Sequence, residues 1–121
     1  MYRAQVKTHF DVAHFLRGYQ GKCEKLHGHR FNVAILVETA TLDDVGMSVD
    51  FTLLKKHFKE VVGRFDHVNL NETAPFDVVN PTSENLAAYF FQSMKPLISP
   101  VKIKRVKVWE SPDAWASYSE D

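Results

Sequence analysis

Two runs of alternating apolar residues occupy the first third of the chain and leave few choices about how it folds. In residues 2 to 14, Tyr2, Ala4, Val6, Thr8, Phe10, Val12 and His14 share one side, and Arg3, Gln5, Lys7, His9 and Asp11 share the other. From residue 27 to 37 the odd positions carry His27, His29, Phe31, Val33, Ile35 and Val37. Successive side chains of a strand point to opposite faces, so each run is a strand with one buried face. The segment from Leu16 to Lys25, with Gly18 and Gly21, then joins two antiparallel strands.

Parity puts three imidazoles on the inward face. His27 and His29 open the second apolar row, His14 closes the first, and a hairpin return brings them together. Neutral imidazoles at such spacing suit zinc, which keeps a position open in catalytic sites. Each histidine also has a plainer reading: His27 and His29 as decoration of a turn at Gly28, His14 as a satisfied core histidine. Just ahead of the pair stands Cys23, the chain's one cysteine. It reads either as a small buried hydrophobe or as a reachable thiol that Lys22 and Lys25 bias toward the thiolate.

Composition narrows the class. The chain's 121 residues, 45% hydrophobic with nine Phe, fit a single domain, residues 1–121, around one core. Fifteen basic residues balance fifteen acidic ones, which argues against nucleic acid or an anionic membrane as partner and favours a small molecule. A lone cysteine excludes an intrachain disulfide, and with neither a signal-peptide pattern nor an apolar run of bilayer length the expected location is the cytoplasm.

Beyond Thr41 to Gly46, Asp50 stands as N-cap before Phe51, Leu54, His57 or Phe58, Val61 and Phe65, a helical stripe. Asp66-His67 follows in an irregular polar segment, readable as an acid/base pair or as turn chemistry. Thr82 caps a second helix whose stripe is Leu86, Phe90, Met94 and Leu97, with Pro96 and Pro100 marking its end. In the strand from Val101 to Glu110, the even side carries Val106, Val108 and Glu110. A carboxylate thus either points inward, where it needs a partner, or turns out to solvent. Trp115 to Tyr118 returns beside it. The order ββααββ predicts an α+β fold: a four-stranded antiparallel sheet with two helices on one face.

Ala13-His14, Cys23 through His29, Gly46 to Phe51, Phe65 to Asn71, Asn80 to Leu86 and Val108-Trp109-Glu110, in that order, span nearly the whole chain. As a set they resemble the 6-pyruvoyl-tetrahydropterin synthase family, most closely its bacterial and archaeal 6-carboxy-5,6,7,8-tetrahydropterin synthase branch. The branch assignment rests on the three residues between Cys23 and His27, where the pyruvoyl branch has a longer insertion. The resemblance implies the tunnelling fold, with trimers closing their sheets into a barrel and two trimers stacking as a homohexamer whose active sites lie between subunits. It implies that His14, His27 and His29 hold zinc, that Cys23, Asp66 and His67 transfer protons, that Glu110 anchors a pterin, and that Thr82, Ser83 and Glu84 bind substrate.

The activity so implied is that of a zinc-dependent carbon-carbon lyase on the route to queuosine and related 7-deazaguanines. It turns 7,8-dihydroneopterin triphosphate into the 6-carboxytetrahydropterin, releasing acetaldehyde and triphosphate. Pyruvoyl-tetrahydropterin formation would use the same zinc and stop at triphosphate elimination. A dihydroneopterin aldolase of the tunnelling fold would leave the metal histidines unexplained, and a non-catalytic zinc- or pterin-binding module would leave Cys23 and the Asp66-His67 pair without a task.

Overall fold

A computed structural model describes residues 1–18, 20–21 and 25–121. Strands β1 (Tyr2–His14) and β2 (His27–Thr39) form a long antiparallel hairpin, registered so that Phe10 faces Phe31, Val12 faces His29 and His14 faces His27. Alternation built this pairing, because a one-residue slip would turn every buried side chain of one strand to water. Helix α1 (Phe51–Gly63) starts at Asp50, whose carboxylate accepts from the Thr52 N–H at 2.9 Å. Helix α2 (Ser83–Ile98) starts at Thr82, whose hydroxyl accepts from the Asn85 N–H at 3.1 Å. Strands β4 (Lys102–Ser111) and β5 (Ala114–Tyr118) complete the chain, after a two-residue strand β3 (Val68–Asn69) between the helices.

The expected four-stranded antiparallel sheet is corrected to a five-stranded mixed one, in the order β3-β1-β2-β4-β5. β3 runs parallel to β1 at Val12 and Ala13. Two residues carry no alternation, so this strand is invisible to periodicity. Both helices lie on one face as expected: α1 packs on β1, α2 on β4 and β5, and the helices meet.

Between helices and sheet lies a core of Phe10, Phe31, Phe58, Phe65, Phe76, Phe90 and Phe91 with aliphatic neighbours. Phe10 stacks on Phe31 with ring centroids 5.3 Å apart, and Phe90 meets Phe10 edge-on at 5.6 Å. Three stripe residues fall outside it: Tyr2, Phe51 and Leu97 are about half exposed. Each sits at the end of its element, where the packed layer stops. Among the described residues no helix is long and apolar enough to cross a membrane.

Candidate metal centre and substrate pocket

The hairpin register seats the three histidines at one end of the sheet. His14 and His27 ring centroids are 4.5 Å apart, His14 and His29 5.5 Å, and His27 and His29 5.9 Å; one potential ligand atom from each lies within 4.8 Å of the others. Phe31 supports the cluster from the core, its ring 5.1 Å from His14 and 4.8 Å from His29.

Each ring is held by a backbone carbonyl. His14 donates from Nδ1 to Pro81 O at 3.3 Å, His27 from Nδ1 to Lys25 O at 2.9 Å, and His29 meets Glu110 O through Nε2. A carbonyl only accepts, so it fixes the tautomer and leaves a lone pair on the opposite nitrogen: Nε2 of His14, Nε2 of His27, Nδ1 of His29. The His14 Nε2 is buried and has no hydrogen-bond partner among the described residues. Such an orphan costs stability unless something accepts its electron pair. Burial, helped by the charges that His27 and His29 would carry and opposed by the Pro81 carbonyl, holds the His14 pKa down to about 4. At neutral pH its ring is an uncharged donor. The set fits zinc in ligand type, tautomer and need.

Beside the histidines opens a cavity of about 170 Å³, lined by His14, Leu16, Phe31, Pro81, Thr82, Ser83, Glu84 and Glu110. Thr82, Ser83 and Glu84 reach it because α2 begins there; the Thr82 hydroxyl is engaged as cap, whereas the buried Ser83 hydroxyl lacks a partner among the described residues. Glu110 reaches it through an irregularity: the β4–β5 ladder pairs Trp109 with Trp115 and Ser111 with Ala114, skipping Glu110. A bulge of this kind re-aims a side chain. Glu110 therefore serves twice, its carbonyl against His29 and the residue as part of the cavity lining.

Asp66 and His67 lie elsewhere. They precede β3 at the sheet's edge, where His67 lines a separate depression with Asp11, Val12, Ala13, Val68 and Asn69. Their side chains are 3.5 Å apart, longer than an ordinary hydrogen bond, and Asp66 instead accepts the Asp11 N–H at 2.8 Å. His67 adopts φ 59°, a left-handed conformation uncommon outside glycine and asparagine. Asp11 is itself gripped by Arg30 through two hydrogen bonds, 2.8 and 3.0 Å, which keep its carboxyl below the usual range. Cys23 lies outside the described residues.

Sequence reasoning missed the frame that holds His14 in place. Asn71 brackets Phe15, accepting its N–H at 2.8 Å and donating to its carbonyl at 3.1 Å; Asn80 does the same for Arg17, both at 2.9 Å. The Arg17 guanidinium donates to the carbonyls of Asn71, Phe76 and Val79. This ties the end of β1 to the segment presenting Pro81 O. Two asparagines between the helices, Asn71 and Asn80, were the available signal, since Asn substitutes for backbone partners where the ladder ends.

The sequence model of the 6-pyruvoyl tetrahydropterin synthase family matches residues 3–121. The chain is 34% identical to the 6-carboxy-5,6,7,8-tetrahydropterin synthase of Synechocystis, over 90% of this chain and 86% of that one. It is 38% identical to the dihydroneopterin monophosphate aldolase of Pyrococcus furiosus, over 91% and 87%. The solved structure of Caenorhabditis elegans 6-pyruvoyl tetrahydropterin synthase superposes with a TM-score of 0.89 at 27% identity, covering 99% of this chain and 96% of the other.

Proposed function

From the premise that the chain belongs to the 6-pyruvoyl tetrahydropterin synthase family, we propose that it is a zinc-dependent 6-carboxy-5,6,7,8-tetrahydropterin synthase. The reaction takes 7,8-dihydroneopterin triphosphate and water to 6-carboxytetrahydropterin, acetaldehyde and triphosphate, as a step toward 7-deazaguanines. One observation carries this reading: three lone-pair-bearing imidazoles cluster together, and one of them, His14, lines a cavity shared with Glu110 and the start of α2. Zinc held by His14, His27 and His29 would supply Lewis acidity, lowering the pKa of the substrate's side-chain hydroxyls. Glu110 accepts the amino and ring N–H groups of the pterin edge, fixing its orientation. Ser83, with its unpartnered hydroxyl, supplies a further donor or acceptor to the ring. Cys23 removes a side-chain proton as thiolate, and His67, oriented by Asp66 once substrate tightens the pair, exchanges another.

His67 and the His14 cavity share no lining residue within one chain, which supports a site completed between copies. β1 is paired with β3 only at Val12 and Ala13, and β5 ends the sheet on the other side. Such open edges favour pairing between subunits and closure into a ring, two of which make the hexamer.

The Pyrococcus relative favours one alternative: side-chain cleavage of aldolase type without formation of the carboxylate. Incubating the zinc-loaded protein with dihydroneopterin triphosphate and identifying products by mass spectrometry separates the two readings. Carboxytetrahydropterin with acetaldehyde supports the proposal; a pyruvoyl-tetrahydropterin or a hydroxymethylpterin overturns the branch assignment.

A further inference from the structure

The sheet face opposite the helices carries an arrangement that the proposed reaction leaves unused. Strand register stacks its side chains in rungs: Lys7, Ala34, Lys107 and Ser117 form one; His9, Asn32, Trp109 and Trp115 the next; Gln5, Leu36 and Arg105 a third. Both acids of this face on β1 and β2 are taken by arginines, Asp11 by Arg30 and Glu38 by Arg3 at 2.8 Å. Among the described residues no carboxylate lies within ion-pair distance of Lys7, Arg105 or Lys107.

These cations are also pre-positioned. Lys7 Nζ stands 4.7 Å and Lys107 Nζ 5.6 Å from the Trp109 ring centroid, and Lys107 Nζ 4.1 Å from that of Trp115. Two ammonium groups thus share one indole, which restrains long side chains that would otherwise spread apart by repulsion. Between them lies Ala34, buried beneath its neighbours. One rung along, the Arg105 Nε is buried without a hydrogen-bond partner among the described residues. The result is a basic patch over Ala34, with lysines on two sides, an arginine at one end and an aromatic shelf at the other.

We propose that this patch, around Lys7, Arg105 and Lys107, is a binding site for linear polyphosphate groups. Lys7 and Lys107 flank β2 from the strands on either side, two strand spacings or about 10 Å apart at the backbone, and Arg105 lies about 7 Å along from Lys107. One tetrahedral oxyanion does not bridge such a span, whereas linked phosphates do. Charge-assisted hydrogen bonds to ammonium and guanidinium supply the affinity, and the chain's zero formal net charge makes the attraction local to this face.

The chain's two tryptophans both belong to the patch, so intrinsic fluorescence reports on it directly. Inorganic triphosphate titrated into the intact zinc-loaded protein should change tryptophan emission saturably. Lys7→Gln with Lys107→Gln should weaken that binding by about tenfold or more, the loss expected from two charge-assisted contacts. Circular dichroism checks that the double variant is folded, and Lys107→Gln alone serves if it is not. Inorganic monophosphate at matched ionic strength should bind at least tenfold more weakly. The response should persist in His29→Ala, which separates it from the metal centre. The proposal is overturned by an absence of saturation, by equal response to monophosphate, or by unchanged binding in the lysine variants.

Discussion

Replacing His14 with leucine should leave the metal-free protein at least as stable as its parent at neutral pH, although His14 is buried. The parent pays for an unpartnered Nε2, about 1 to 3 kcal/mol for a buried polar atom without a bond. Leucine removes that cost and fills similar space, while losing the Nδ1 bond to Pro81 O, worth about 1 kcal/mol. The net expectation is a gain of about 0 to 2 kcal/mol. Acid should widen the gap. His14 titrates near 4 when folded and 6.5 as its reference, so between these values the unfolded chain binds a proton that the folded chain does not. Its contribution to stability is therefore intact above about pH 6.5 and falls as pH drops, by about 3 kcal/mol at pH 4. His14→Leu lacks that loss, whereas the ion pairs that hold Asp11 and Glu38 low are the same in both proteins. Urea unfolding with a chelator present, from pH 7 to pH 4, measures the difference. A variant destabilised by more than about 2 kcal/mol at pH 7, with the same pH slope as its parent, would return His14 to an ordinary packed core residue.

In titration calorimetry Glu110→Gln should weaken binding of an unreactive pterin analogue by about 2 to 3 kcal/mol, because one acceptor becomes a donor facing a substrate N–H; elemental analysis should find zinc content unchanged. Cys23→Ala should retain zinc by elemental analysis and lose most turnover, whereas metal loss would make the thiol a ligand. Asn80→Ala should reduce zinc affinity about tenfold in a chelator competition, because Arg17 and Pro81 lose their tether, while Asp43→Ala, which breaks a comparable turn elsewhere, should not. Sedimentation at assay concentration should find a hexamer, and a fully active monomer would refute a site shared between copies.

Much of this was legible because alternation is a strong code. The parity of residues 2 to 14 and 27 to 37 announced the hairpin and the inward side of each strand, and with them the meeting of His14, His27 and His29. Asp50 and Thr82 declared the helix starts through their side-chain oxygens. Where chemistry depends on irregular backbone, the code ran out. Parity left Glu110 either inward or solvated; the residue lines the cavity at a skipped rung between Trp109 and Ser111 that alternation does not announce. The Asn71 and Asn80 brackets join residues more than fifty positions apart, a relation that no local pattern encodes. The placement of Asp66 and His67 away from the cavity likewise follows from the β1–β3 pairing, which two residues cannot announce.

The central claim is an open three-histidine zinc centre beside a pterin pocket, and X-ray absorption at the zinc edge of the loaded protein tests it most directly. The account predicts one zinc per chain with three imidazole nitrogens at about 2.0 to 2.1 Å and a light, exchangeable fourth ligand that a pterin substrate analogue perturbs. A sulfur neighbour at about 2.3 Å, which would close the site with Cys23, or zinc bound equally well after His27→Ala, would contradict it.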